Sequence, residues 1–209
     1  MAQMKIWQPF VMPEASPHPV ILESPFAQHK QDPARTEAIH IAYMRMCLRD
    51  MALRGEYGIA SHAVLTQPGV LDDDDPNQRH WGIELGLGIR NTIPEWVAYV
   101  DFGMSKGMLL AEERAVQSGR TLKKRSIHNS VMICLHEIMR MYRESDSTSV
   151  SSAETYVTLC EQMIRNKSLE IRNSTNPEVT AKVQEAFSIY RYIHWCFQPF
   201  PVGGCHGKP

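Results

Sequence analysis

"EWVAYVDFGMSKGMLLAEERAVQSG", residues 95–119, is the stretch that decides the fold. It opens as a β-favouring apolar run, "EWVAYVD", that reaches an acid at Asp101. It closes as "KGMLLAEERAVQSG", a run of helix formers whose end is marked by Gly119. Gly103 and Ser105 stand between the two halves and Gly107 opens the second with Lys106, so a strand hands over to a helix through a polar, glycine-bearing turn.

Working outward, the same alternation repeats. "PVILES" (19–24) predicts a first strand closed by Ser24-Pro25. From Pro33 onward the apolar residues Ala38, Ile41, Ala42, Met44, Leu48, Met51 and Ala52 recur at three and four, which predicts a helix up to Gly55. "GIASHAVLT" (58–66) reads as a second strand with His62 inside it, and "RHWGIELGLGIRN" (79–91) as a helix. Gly82, Gly86 and Gly88 weaken that helix by up to about 1 kcal/mol each against alanine, and their spacing predicts close approach to a sheet. "TLKKRSI" (121–127) completes four strands separated by helices. The expected fold is therefore α/β, a doubly wound and mainly parallel sheet of Rossmann-like type over residues 19–127.

Outside that core, residues 1–18, with Pro9, Pro13 and Pro17, read as an N-terminal arm. Residues 128–209 read as a helical C-terminal extension. "NSVMICLHEIMRMY" carries Val131, Leu135, Ile138, Met139 and Tyr142 on one face, "SSAETYVTLCEQMI" opens with the capping pattern Ser151-x-x-Glu154, and "PEVTAKVQEAFSIYRYIHWCF" has Pro177 in its first turn. "SDSTSVSS" is a polar connector between helices. The extension is expected to cover the sheet domain, close its site or build an oligomer.

Composition narrows the function. A net charge of −1 on 209 residues gives no basic field, which argues against nucleic acid as the main partner. No run approaches the roughly 20 apolar residues of a membrane span, and the N-terminus has no continuous apolar signal core, so a cytoplasmic protein with no membrane partner is expected. The five cysteines are odd in number, without a CxxC pair, and read as reduced structural thiols. Four aspartates at 72–75 read as a solvated loop or as helix N-terminal charge, not as a magnesium site. His194, Cys196, Cys205 and His206 lack zinc-ligand spacing, and "GLG" at 86–88 is no dinucleotide fingerprint, so no metal and no cofactor are expected.

A doubly wound sheet binds ligands beyond the carboxyl ends of its strands. Those ends are expected at Glu23-Ser24, Thr66-Gln67 and the turn from Asp101 to Gly107. Ser105 falls at a helix N-cap, so the amides from Ser105 to Met108 face whatever lies above the strand end. Gly103 and Gly107 allow close approach and Lys106 adds positive charge, an arrangement suited to an anion such as a phosphate. Ser24, on the same rim, offers a second hydroxyl, and His62 is a further candidate for binding the ligand. The plainer alternative is that Ser105 only caps a helix, Gly103 only turns the chain and His62 is a hydrogen-bonded core residue. Candidate carboxylates are Asp101, Glu84, Glu112 and Glu113; the adjacent glutamates diverge by about 100° on a helix, so one of them at most faces the rim.

With those motifs in place, "ILESPF", "ASHAVLT", "VDFGMSKGM" and "AEERAVQSGRT" together resemble the nucleoside 2-deoxyribosyltransferase-like superfamily, which includes deoxynucleoside monophosphate N-glycosidases. The resemblance covers residues 19–127. It implies that Ser105 and Gly107 hold a nucleotide phosphate with help from Ser24, that the N-glycosidic bond is cleaved or exchanged without a cofactor, and that the protein is a homo-oligomer. "LTQPGVLDDDDPNQRHWGIELGL" also resembles a group of phage-encoded proteins with this core, which implies a phage source. In the superfamily a glutamate nucleophile follows the turn glycine by four residues, and that position is Ala111 here. The resemblance therefore points to Glu112 or Glu113 as nucleophile, with Asp101 or Glu84 orienting the sugar. The other reading is a non-catalytic protein that sequesters a nucleotide-derived signal.

Overall fold

The structure is a computed structural model and describes residues 5, 7–8, 10–14, 16–26, 29–67, 69–145 and 151–199, with the backbone alone at Arg90. Four strands form one sheet: β1 (His18–Glu23), β2 (Glu56–Ile59), β3 (Trp96–Tyr99) and β4 (Leu122–Arg125). Every pairing is parallel and the order is β2-β1-β3-β4. Between them run α1 (Glu37–Leu53), α2 (Ser61–Leu65), α3 (Pro76–Arg90) and α4 (Lys106–Gln117); α5 (Asn129–Glu144), α6 (Ser152–Asn173) and α7 (Pro177–Phe197) follow β4. This is the α/β architecture with a helical C-terminal extension.

The inner strands β1 and β3 are covered on both faces, which is why they read as continuous apolar runs. Successive side chains alternate between faces. Val20, Leu22, Val97 and Tyr99 enter a large core with α1 and the extension, where Tyr43, Met46, Leu135, Ile138, Tyr156 and Ile193 are also buried. Ile21, Trp96 and Ala98 enter a smaller core with Met108 and Ala115 of α4. Each fully buried Leu or Met contributes about 1.5–3 kcal/mol, so both faces stabilise the fold. β4 survives as an edge strand because Leu122 points inward while Lys123, Lys124 and Arg125 meet Glu95, Glu112 and Glu56.

Side-chain caps set the helix starts. Thr36, Asp75, Ser105, Ser151 and Asn176 each accept an amide hydrogen of the first turn. α3 thus begins at Pro76, three residues before the expected Arg79, because the last of the four aspartates caps it. Its glycines do not bring it against the sheet. A Cβ at Gly86 would sit 3.0 Å from the Ser61 hydroxyl and one at Gly82 3.2 Å from Leu71, so they let α3 lie on α2 and the loop after it.

The second strand is shorter than its sequence suggests. It stops at Ile59, and Ser61–Leu65 turn into a helix, so His62 is carried over the sheet edge and does not lie within a strand. Ser61, His62 and Ala63 are weak strand formers, while the Thr66 hydroxyl donates to the His62 carbonyl and the Gln67 amide to the Ala63 carbonyl, closing the helical turn. Thr66-Gln67 is accordingly the end of α2 and not a strand end.

The extension covers the α1 side of the sheet. Tyr156 stacks on Tyr142 and Phe197, with ring centroids 4.5 and 4.9 Å away, and its hydroxyl donates to the Ala34 carbonyl at 2.5 Å. Arg143 grips Asp32 with two bonds of 3.0 and 2.7 Å. These contacts fasten the segment between β1 and α1. The N-terminal arm is a residue shorter than expected, since His18 already belongs to β1; its described residues up to Pro17 form neither helix nor strand, yet Trp7 packs on the large core and meets His128 edge-on at 4.6 Å. Most of the connector "SDSTSVSS", Cys205 and His206 lie outside the described residues. No described helix is long and apolar enough to cross a membrane.

Candidate functional site

In the order β2-β1-β3-β4 the connections from β1 and β3 leave toward opposite edges, so a crevice opens where their carboxyl ends part. A cleft of about 780 Å³ occupies this position. Its walls come from the β1–α1 segment, α2, α3 and the turn into α4.

The turn residues converge on this cleft. Gly103 has φ 76°, a left-handed conformation that closes the turn after β3, where its amide N–H donates to the Val100 carbonyl at 2.8 Å. Ser105 is the N-cap of α4 and accepts the Met108 amide at 3.3 Å. The amides of Lys106 and Gly107, in the first turn of the helix, have no acceptor within it. Ser105, Lys106, Gly107 and Met108 all line the cleft, whereas Gly103 does not. A Cβ on Gly107 would find nothing nearer than the Ser105 hydroxyl at 3.9 Å, so packing does not demand glycine there. From the opposite strand end, Ser24 reaches His62 with Oγ and Nε2 3.0 Å apart. The short second strand makes this pair possible, because α2 turns His62 back over β1.

The four expected carboxylates are not brought together. The Asp101 carboxylate accepts the Tyr43 hydroxyl at 2.5 Å and the Ile127 amide at 3.1 Å, bracing the end of β3 against α1 and the segment after β4. Burial first, then the neighbouring Cys47 and Asp101, pushes the Tyr43 pKa well up, so its hydroxyl stays a donor. Glu112 pairs with Lys124 at 2.9 Å, and Glu113 accepts the Gln117 amide at 3.2 Å on the exposed side of α4. The helix turns Leu110 toward the cleft and buries Ala111, so neither glutamate lines it. Glu84 borders a separate depression of about 390 Å³ with Trp96 and Arg114.

Other groups occupy the places the sequence reading left empty. Glu23, 5% exposed at the end of β1, is a carboxylate that lines the cleft. Arg35 and Phe102 face it as a pair: the guanidinium lies 5.1 Å from the ring centroid and donates to the Phe102 carbonyl at 2.9 Å. Burial pulls the Arg35 pKa down while nearby Asp32 opposes that shift. His40, buried beside Phe102 at 5.7 Å between centroids, shares a hydrogen bond with the Phe26 carbonyl at 3.0 Å. The available signal for these residues was topological: the segment after the first strand of a doubly wound sheet lies on the ligand rim, and it carries Lys30 and Arg35. Among the described residues no group of three His, Cys, Asp or Glu side chains is placed to hold a metal ion.

No curated protein and no solved structure matches the chain. A family model described as "Domain of unknown function (DUF7768)" matches residues 18–125, from the first residue of β1 to the last of β4, with the cleft inside that span. That match takes in just over half of the 209 residues, and the chain belongs to this family.

Proposed function

We propose that the cleft binds a small nucleotide, a nucleoside monophosphate or a close relative, by its phosphate, and cleaves the N-glycosidic bond. The observation that carries the reading is the convergence of Ser24 with Ser105, Lys106 and Gly107, from two separate strand ends, on one cleft at the β1/β3 switch point. Unpaired first-turn amides, a hydroxyl and an ammonium suit a dianion. The resemblance to the deoxyribosyltransferase-like superfamily supports the same assignment.

For chemistry the reading turns to Glu23 instead of Glu112 or Glu113, because Glu23 is the glutamate that lines the cleft. Its carboxylate attacks the anomeric carbon, the bond to the base breaks with its electron pair leaving on the base, and water then releases the sugar phosphate. His62 supplies a titratable group on the same rim for the proton that the departing base takes up. Four buried free cysteines fit a reducing, cytoplasmic compartment, the host cytoplasm if the source is a phage. The exposed stripe Trp81, Leu85 and Ile89 on α3 supports a homo-oligomer.

A second reading, capture of a nucleotide without turnover, is favoured by Ala111, fully buried where a glutamate nucleophile is expected. Incubation with a panel of nucleoside monophosphates, followed by chromatography of supernatant and heat-denatured protein, separates the two. Free base released by the wild type but not by Glu23→Gln supports cleavage. Intact nucleotide recovered only after denaturation assigns capture, and neither product ends both readings.

A further inference from the structure

The cleft has two cationic positions, one more than a monophosphate uses. Lys106 stands at the α4 turn; Arg35 and Lys30 stand on the wall between β1 and α1. Among the described residues none of the three has a carboxylate within ion-pair distance, whereas the cleft's other cation, Arg79, is paired with Asp73. The obvious partner of Arg35 is already engaged: both Asp32 oxygens are held by Arg143 and one also by the Ala34 amide. The Arg35 guanidinium lines the cleft, rests on the Phe102 ring and gives one hydrogen bond, to the Phe102 carbonyl, while its Nε is buried with no acceptor among the described residues.

We infer that the cleft takes a nucleotide bearing two phosphate groups, the second held by Arg35 with Lys30 beside the Phe102 ring. Chain length sets the span. Arg35 is bonded to residue 102 and the first cradle amide belongs to residue 106, so four residues, at most roughly 14 Å of extended chain, separate the two positions. One nucleotide bridges that distance. A volume of about 780 Å³ lies in the upper part of the usual range for ligand clefts, about 300–1,000 Å³, and leaves room for the second group. The extension explains how the wall is held: Arg143 on α5 and Tyr156 on α6 clamp Asp32 and Ala34, next to Arg35, although neither lines the cleft.

The inference rests on the nucleotide reading above and is tested by titration calorimetry on the full chain with one nucleoside as its 5′-monophosphate, 5′-diphosphate and 3′,5′-bisphosphate. Either doubly phosphorylated form should bind at least about tenfold more tightly than the monophosphate, and which one does so identifies the attachment. Arg35→Gln should abolish that advantage and leave monophosphate affinity within about twofold, with Arg35→Lys restoring part of it. Lys30→Gln, at an exposed position, should reduce the advantage and serves if Arg35→Gln does not fold. Equal affinity for all three nucleotides, or an advantage that survives both glutamine variants, overturns the second position and leaves the phosphate cradle standing. Binding of none of them overturns both.

Discussion

Asp101→Ala tests whether the acid of the opening turn is a brace. Its carboxylate receives the Tyr43 hydroxyl, which is fully buried, and the Ile127 amide. Truncation leaves that hydroxyl without its acceptor, a cost of about 1–3 kcal/mol, and removes one bond to Ile127 worth about 1 kcal/mol. The expected loss is therefore about 2–4 kcal/mol, or roughly 4–16 °C in melting temperature for a chain of this size. Urea unfolding followed by circular dichroism should show a lower midpoint with an unchanged slope. The partner variant Tyr43→Phe removes the orphaned group, so Asp101→Ala should cost markedly less in that background. An Asp101→Ala protein within about 0.5 kcal/mol of wild type, or an equal cost in both backgrounds, refutes the reasoning and returns Asp101 to the list of catalytic candidates.

The two turn glycines should behave oppositely. Gly103→Ala, at φ 76°, should lose about 1–2 kcal/mol by unfolding, while Gly107→Ala should be neutral or gain up to about 1 kcal/mol yet weaken nucleotide binding about tenfold in calorimetry. The Arg143 hydrogen bond holds the Asp32 pKa below its ordinary 3.8, so the clamp contributes stability above that value and loses it as the pH falls through the lowered folded pKa. The stability gap between wild type and Asp32→Asn, measured by unfolding across an acid series, should accordingly close toward low pH. In a Cys205→Ser background, the four remaining cysteines should resist a thiol reagent at pH 8 until the chain unfolds, because burial pushes Cys134 up to about 11 and Cys196 up to about 12 and raises Cys47 and Cys160 as well. Rapid native labelling contradicts their burial.

The sheet was legible because β1 and β3 are buried on both faces and stand out as unbroken apolar runs between glycine and serine punctuation. The stretch 58–66 reads as a strand, and folds partly as α2, because a short apolar run has no period long enough to separate strand from helix. The turn into α2 sets His62 beside Ser24, a residue 38 positions away that no local pattern reveals. The cap at Ser105 and the turn at Gly103 are legible because caps and turns are local chemistry. The carboxylates are not, because their roles depend on distant partners: Tyr43 and Ile127 for Asp101, Lys124 for Glu112. The setting of Arg35 is non-local in the same way, its orientation being fixed by Phe102 and the nearby Asp32 being hydrogen-bonded by Arg143 on a helix of the extension.

Whether the β1/β3 cleft binds a nucleotide by its phosphate is tested by a crystal structure of the protein grown with a nucleoside monophosphate. The phosphate should lie within hydrogen-bond distance of the Gly107 amide and the Ser24 or Ser105 hydroxyl. A nucleotide seated in the depression beside Glu84 and Arg114, or anywhere else on the surface, contradicts that placement.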